Sequence, residues 1–226
     1  DDALKSAQNK NMKVINLLDV LGNSVKEEEQ VEGMQAEEEE KEGEEEGPEY
    51  DEHVWLSLKN AKTLCSSIAD ALCEIDSKNA DVYKKNLGEY IKNLDALDKE
   101  YQQAVNSAKY DTLVFGDRFP FRYMVDDYSL KYYAAFVGCS AETDASFETV
   151  KFLANKVDEL GVTTVLTIED PKHKIAQTVV ENTKEKNQKI LALNSMQSVT
   201  SDDVKNGETY LNVMQSNLDV LKQALN

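Results

Sequence analysis

The sequence predicts an α/β fold in which a long helix precedes a mainly parallel β-sheet. One apolar stripe at helical spacing continues from about residue 79 to residue 108. After it, short β-branched segments alternate with amphipathic ones, and the segment TTVLTI is apolar throughout, as in a strand that is covered on both faces. A helix of this length would span about 45 Å. We therefore expect it to be a spine that joins two lobes.

The negative charge of the chain is concentrated in one segment. The 226 residues carry a net charge of −18, and residues 27–52, with 14 Glu, one Asp and one Lys, account for −14 of it. This segment has few large apolar side chains, so we expect a flexible acidic loop over residues 26–52. The sequence has no basic stripe for a nucleic acid and no apolar run long enough to span a membrane.

The helices and strands are predicted from the spacing of apolar residues and from the turn and cap residues between them. MKVINLL predicts a strand over residues 12–18, and Gly22 begins a turn. After the acidic segment, Ser57 is a candidate N-cap for a helix that ends near Ile75. The later predictions are helices over 79–108, 147–160, 172–184 and 207–225, and strands over 112–115, 130–137, 163–168 and 189–193.

Polar side chains follow the strands of this sheet, where ligands of parallel α/β sheets bind. Asp117, Glu169 and Asn194 each follow a strand, as do Glu142 and Asp144. These oxygens suit a cation or a polar ligand, although the same residue types also cap helices and form turns.

His53 adds a candidate nitrogen ligand, with a solvated loop histidine as the alternative. The three Cys do not form a disulfide framework, and no motif of a nucleophile and base is present. We therefore expect a protein that is not an enzyme.

Several segments resemble one known family, the zinc- and manganese-binding solute-binding proteins of bacterial ABC importers. The first is DEHVWLSLKNAKTLCSSIADAL, which is similar to the family segment D-P-H-x-W-L-D-P-x-N-A. The others are FGDRFPFRYMVDDYSL, VLTIEDPKHKIAQTV and the ending GETYLNVMQSNLDVLKQAL. The resemblance covers the chain from His53 onward and implies a two-lobe fold with a spine helix, here mainly the C-terminal lobe.

The resemblance also implies a metal site. His53 corresponds to one family ligand. Another family ligand falls on Gly116 or Asp117, and of these two only Asp117 has a ligating side chain. The last family ligand, an Asp, falls on Asn194, and Glu169 corresponds to a Glu beside the site that would orient it. Zn²⁺ or Mn²⁺ would be the transported ligand, and one His with oxygen donors favours the harder Mn²⁺.

The implied organisation divides the chain into five parts. Residues 1–25 would end an N-terminal lobe, followed by the acidic loop 26–52 and the last helix of that lobe over 53–78. Residues 79–108 would be the spine and 109–226 the C-terminal α/β lobe. Most of the first lobe would lie upstream in a longer, lipid-anchored protein, and the apolar surface exposed without it could support a dimer.

The implied function is capture of zinc or manganese at the cell surface or in the periplasm, followed by delivery to an ABC permease. Two alternatives stay open. In one, a degenerate site binds another small solute, such as an anion held by Arg118 and Arg122. In the other, the protein is a surface adhesin or scaffold whose acidic loop is the working part.

Overall fold

A computed structural model of the protein describes residues 2–9, 11–35, 49–140, 144–169 and 172–226. The helices are α1 (Asp2–Ser6), α2 (Leu17–Leu21), α3 (Leu58–Ile75), α4 (Ala80–Asn106), α5 (Arg122–Tyr128), α6 (Phe147–Leu160), α7 (Lys174–Asn182), α8 (Ser201–Lys205) and α9 (Tyr210–Ala224). The strands are β1 (Thr112–Phe119), β2 (Lys131–Val137), β3 (Thr164–Thr167) and β4 (Lys189–Ala192). Short 3₁₀ turns cover Gly22–Ser24, Val54–Leu56 and Ser77–Asn79.

The four strands form one parallel sheet in the order β2-β1-β3-β4, which confirms the predicted α/β class. Strand β1 is longer than predicted, because the Gly116-Asp117 pair does not end it. Instead the register with β2 shifts between Phe115 and Arg118, and pairing resumes to Phe119. This irregularity lets the strand continue past a glycine that suggested a turn.

Helices cover both faces of the sheet. On one face, Leu94 of α4 and Leu218 of α9 pack in a buried cluster with Phe115. On the other, Leu153 of α6 and Val179 of α7 pack in a second buried cluster. The resulting three layers explain why the central strands are apolar throughout.

The strand predicted over residues 12–18 is wrong. Residues 17–21 form α2, and the Asn16 side chain caps it by accepting hydrogen bonds from the backbone N–H groups of Leu18 and Asp19. Within the described ranges, no strand pairs with residues 12–16. A short apolar run is compatible with a strand and with a helix. Here the hydrogen bonds to the Asn16 side chain stabilise the helix.

The ends of the acidic segment contact the rest of the molecule. The backbone N–H of Glu28 donates to the Glu49 carbonyl, and that of Asp51 donates to the Lys26 carbonyl. The backbone N–H of Gln35 donates to the Ala135 carbonyl of β2. We expected a flexible loop over residues 26–52, but residues 26–35 and 49–52 are held by these hydrogen bonds. Residues 36–48 lie outside the described residues.

Helix α3 is covered along only part of its length. Leu58 and Leu64 are buried, whereas Ile68, Leu72 and Ile75 on the same face are 44%, 39% and 67% exposed. In the described part of the chain, no helix is both long and apolar enough to cross a membrane.

Candidate metal centre

His53 is a buried side chain. It lies just before the Val54–Leu56 turn that leads into α3, and it is 2% exposed. The expectation of a solvated loop histidine is therefore wrong. A buried imidazole needs partners for both ring nitrogens, and in this protein both have one.

Asp51 orients the imidazole. Its carboxylate Oδ1 lies 3.0 Å from His53 Nδ1 and accepts a hydrogen bond of 2.8 Å from the His53 backbone N–H. Asp51 is itself 2% exposed, and its backbone carbonyl accepts from the Tyr123 hydroxyl at 2.7 Å. A carboxylate at Nδ1 places the ring proton there and leaves the lone pair on Nε2, as in many histidine metal ligands.

A glycine and a tryptophan shape the space around the ring. A Cβ at Gly138 would lie 2.9 Å from His53 Cε1 and 3.1 Å from the Phe119 carbonyl oxygen, so only glycine fits there. The Trp55 ring packs on the imidazole, with centroids 5.4 Å apart. The ring therefore lies at the carboxyl ends of β1 and β2, which is the edge the sequence predicts for the site.

Gln197 lies against the other ring nitrogen. Its side-chain Nε2 contacts His53 Nε2, although the two residues are 144 positions apart. Gln197 belongs to the connection between β4 and α8. The sequence offers no signal for this contact, because a single Gln in a polar loop is unremarkable.

Glu169 fixes the same connection. Its two carboxylate oxygens accept 2.7 Å hydrogen bonds from the Ser195 backbone N–H and the Ser195 hydroxyl, and one also accepts from Ser198. The Trp55 indole donates to the Ser195 carbonyl at 3.0 Å. Glu169 thus ties the end of β3 to the loop that carries Gln197.

The Asp117 side chain accepts hydrogen bonds from neighbouring residues of the sheet. Its Oδ2 accepts from the Thr167 hydroxyl and from the Ile168 backbone N–H, and its Oδ1 accepts from the Arg118 backbone N–H. At Gly116, a Cβ would lie 2.5 Å from Ala176 Cα in α7. Close packing of β1 on α7 therefore explains the glycine where the family resemblance implies a ligand.

Asn194 shapes the turn that follows β4. Its Oδ1 accepts from the Met196 backbone N–H at 2.7 Å, and its own backbone N–H donates to Asn217. Met196 has a left-handed φ of 62°. Of the other polar residues after the strands, Asp144 pairs with Lys174, and Glu142 lies outside the described residues.

The charge around His53 is negative. Partial burial and the neighbouring carboxylates of Glu28 and Glu52 raise the pKa of the Cys139 thiol to about 12. The two arginines near this edge do not offset that charge. Arg122 pairs with Asp126 at 2.7 Å and with Glu29 at 3.2 Å, and Arg118 donates to the Ser140 carbonyl. This potential favours a cation over an anion.

The four residues predicted for the metal site do not form one cluster. In the described ranges, no group of three or more His, Cys, Asp or Glu side chains is placed to hold a metal ion. His53 reaches the loop that Glu169 and Asn194 shape, whereas Asp117 bonds to β3. The ligand roles of Asp117 and Asn194 and the orienting role of Glu169 stay predictions, and the arrangement can offer one oriented imidazole nitrogen.

Sequence reasoning missed Asp51, Gly138 and Gln197. Asp51 had a usable signal, since an Asp two residues before a His can accept that residue's backbone N–H in an Asx turn. Gly138 and Gln197 had none, because each acts through a contact that forms only in the folded chain.

The chain is similar to known proteins in sequence and in structure. The family model described as the periplasmic component A of the zinc-uptake complex matches residues 1–224. The zinc-binding lipoprotein AdcA of Streptococcus pneumoniae is 34% identical over 175 residues, which are 77% of this chain and 34% of the relative. The chain thus spans about a third of the length of the first curated relatives it matches.

Two solved structures show the similarity in three dimensions. The Zn(II)-bound ZnuA-like domain of Streptococcus pneumoniae AdcA has a TM-score of 0.64 and 32% identity, over 78% of this chain and 64% of that one. A crystal structure of ZnuA has a TM-score of 0.73 over 96% of this chain and 72% of that one. At 19% identity, the second likeness shows the fold alone.

Proposed function

The chain belongs to the family of the periplasmic component A of zinc-uptake complexes, and on this premise we propose that it takes part in capturing zinc for import. Members of this family bind a metal for transport and are not enzymes. The family description and the lipoprotein relatives agree with the extracytoplasmic location expected from the sequence. Delivery to an ABC permease, and a lipid anchor on the full-length protein, are part of the proposal.

One observation carries the proposal: the buried His53 imidazole, whose Nδ1 lies 3.0 Å from the Asp51 carboxylate. This carboxylate directs the Nε2 lone pair toward the carboxyl edge of the sheet. Zinc in proteins prefers such imidazole nitrogens, usually with three other ligands. We propose that His53 supplies one of these ligands.

Zinc is favoured over manganese. The AdcA lipoprotein and the AdcA domain structure reported above are named for zinc. The donor in best position is also a nitrogen, which zinc accepts more readily than the harder Mn²⁺ does. The shift toward Mn²⁺ expected from the oxygen donors would need Asp117 and Asn194. The Asp117 carboxylate accepts a hydrogen bond from Thr167 of β3, and the Asn194 side chain accepts one from Met196 in the turn after β4.

An anionic solute is a poorer candidate. A cavity of about 1060 Å³ lies beside Arg122, but Glu27, Glu28 and Glu29 also line it. Arg122 is paired with two carboxylates. This surface therefore has no cationic excess with which to hold an anion.

Titration calorimetry with ZnCl₂ tests the proposal, in competition with a chelator that removes weakly bound metal. We expect His53→Ala to weaken zinc binding at least tenfold, because the oriented nitrogen is lost. Asp51→Asn should weaken it by about 10- to 100-fold, as removal of a carboxylate behind a metal-bound histidine typically does.

The matched control is His173→Ala, which removes the other histidine of the chain. It should bind zinc as the unmodified chain does. Equal binding by the unmodified chain and by His53→Ala would contradict the proposal, as would a preference for Mn²⁺ that His53→Ala leaves unchanged.

A further inference from the structure

We propose that Tyr123 is a positioning residue for His53, which acts through Asp51 and ties the imidazole to the anchored ends of the acidic segment. The inference rests on the proposed zinc function for the ligand that His53 would bind. Tyr123 lies on α5 and is 2% exposed. Its hydroxyl accepts from the Lys26 backbone N–H at 3.1 Å and donates to the Asp51 carbonyl at 2.7 Å.

The hydroxyl takes the place of a backbone hydrogen bond between two chain segments. Residues 26–28 and 49–51 run antiparallel. In a regular antiparallel pair, opposite residues can exchange two N–H···O bonds. Lys26 and Asp51 make one of them directly, from the Asp51 N–H to the Lys26 carbonyl at 2.9 Å. The return connection, from the Lys26 N–H to the Asp51 carbonyl, passes through the Tyr123 hydroxyl.

This connection needs a group that both accepts and donates. A backbone N–H donates and a carbonyl accepts, so the inserted atom must accept from the first and donate to the second, as a hydroxyl does. Two hydrogen bonds in series also span more distance than one, so the Tyr123 hydroxyl sets the separation of the two segments at Asp51. With a phenylalanine ring in its place, the Lys26 N–H and the Asp51 carbonyl would shift toward each other or lose a partner.

The ring that carries the hydroxyl is fixed by its packing. Tyr123 belongs to a buried apolar cluster with Leu21, Val54 and Leu64. Val54 follows His53 directly along the chain, and Leu64 lies on α3. The cluster therefore holds the hydroxyl in one place relative to the chain around His53.

The position of the Asp51 backbone determines where its carboxylate lies. Both backbone polar groups of Asp51 are bonded, the N–H to Lys26 and the carbonyl to Tyr123. The Asp51 side chain is short and buried, and its Oδ1 lies 3.0 Å from His53 Nδ1. A displacement of this backbone would move the carboxylate away from the nitrogen whose proton it holds. Tyr123 thus fixes the tautomer and the direction of the imidazole through Asp51.

Titration with Zn²⁺ in competition with a chelator measures the effect. Tyr123→Phe removes the hydroxyl and keeps the ring, and we expect zinc to bind about three- to tenfold more weakly, a smaller loss than for Asp51→Asn. The matched control is Tyr128→Phe, which removes another buried hydroxyl of α5, one that donates to Asp98. It should leave zinc affinity unchanged. Equal weakening by both variants, or none by Tyr123→Phe, would overturn the proposal.

A double-mutant cycle tests whether Tyr123 acts through Asp51. In an Asp51→Ala background the carboxylate that Tyr123 positions is gone, so adding Tyr123→Phe should weaken zinc binding by less than about twofold. A loss as large as in the unmodified chain would contradict the proposal, because Tyr123 would then affect zinc binding by another route.

A third measurement reads the imidazole itself. Nitrogen-15 spectra recorded with excess chelator report which ring nitrogen of His53 carries the proton. The unmodified chain and Tyr128→Phe should show the proton on Nδ1, and Tyr123→Phe should show part of it on Nε2. A loss of stability alone would not move this signal. Unchanged spectra in Tyr123→Phe would overturn the proposal.

The proposed function and this inference fail in different ways. If His53→Ala binds zinc as tightly as the unmodified chain, the zinc function is wrong, and the nitrogen-15 spectra still decide the role of Tyr123. If His53→Ala loses zinc binding while Tyr123→Phe does not, zinc capture stands and Tyr123 has no positioning role.

Discussion

The two halves of helix α3 have the same sequence pattern and different surroundings. In the first half, Ser57 caps the helix and Leu58 is fully buried. In the second half, Leu72 and Ile75 continue the apolar face and are 39% and 67% exposed. Apolar periodicity therefore shows which face of a helix can be buried, whereas the tertiary structure determines whether anything covers it.

The covered half is the half next to the candidate metal centre. The 3₁₀ turn Val54–Leu56 joins His53 to α3, and both Val54 and Leu56 are buried. The Trp55 carbonyl of that turn accepts from the Tyr210 hydroxyl of α9 at 2.7 Å. The base of the site is thus fastened to the core, which a precisely oriented ligand requires.

The sharpest test of this comparison is one substitution made in both halves. Leu58→Ala should lower the free energy of unfolding by about 2–5 kcal/mol, because it leaves a cavity in the core. Leu72→Ala removes the same atoms from a partly exposed side chain and should cost less than about 1 kcal/mol. Urea unfolding followed by circular dichroism measures both, and equal losses would show that the two halves are equally covered.

A smaller effect is expected at the cap. Ser57 Oγ accepts from the Asn60 backbone N–H and donates to Asp127 Oδ2 at 2.6 Å. Ser57→Ala should cost about 1 kcal/mol, as loss of an N-cap typically does. Ser66→Ala removes a hydroxyl that donates within the helix to the Lys62 carbonyl. It should change the free energy of unfolding by less than half of the change expected for Ser57→Ala.

The cost of losing the cap should also depend on pH. Burial raises the pKa of Asp127, and the Ser57 hydroxyl opposes that rise by bonding to the charged carboxylate. Ser57→Ala therefore raises the folded-state pKa further, so the variant regains relative stability as Asp127 is protonated. The cost should be larger at pH 7 than in mild acid, and a cost that does not change with pH would contradict this account.

The smallest effect is expected at the exposed end. Ile75→Lys should change the free energy of unfolding by less than about 0.5 kcal/mol, as for most surface substitutions. A loss above about 1 kcal/mol would mean that this face is covered in solution. Sedimentation of both proteins would then show whether a second copy covers it, since the expected dimer through exposed apolar surface stays a prediction.

Much of the fold could be predicted because its signals are local. The stripe that includes Leu94, Leu97 and Tyr101 predicted the long helix, and those three side chains are buried in α4. The segment 163–168 predicted a strand covered on both faces, and β3 occupies residues 164–167 with all four buried. The strand predicted over 12–18 failed because a strand also depends on a neighbour, which a short run does not specify.

The candidate site was only partly predictable. His53 stood out as one of two histidines beside an apolar helix, and the edge of the sheet followed from the alternation of strands and helices. The partners of His53 did not follow, since Gly138 and Gln197 come close only when β2 and the loop after β4 are assembled. The division of the chain into five parts also stays a prediction.

The amino-acid sequence by itself determined the α/β class, the long helix, the acidity of residues 27–52 and the family, since each depends on composition or on the order of neighbouring residues. The tertiary structure alone decided that His53 is buried, that Asp51 and Gln197 take its two nitrogens, and that Ile75 is exposed. Burial and hydrogen bonding between distant positions depend on how the layers pack, which local patterns do not encode.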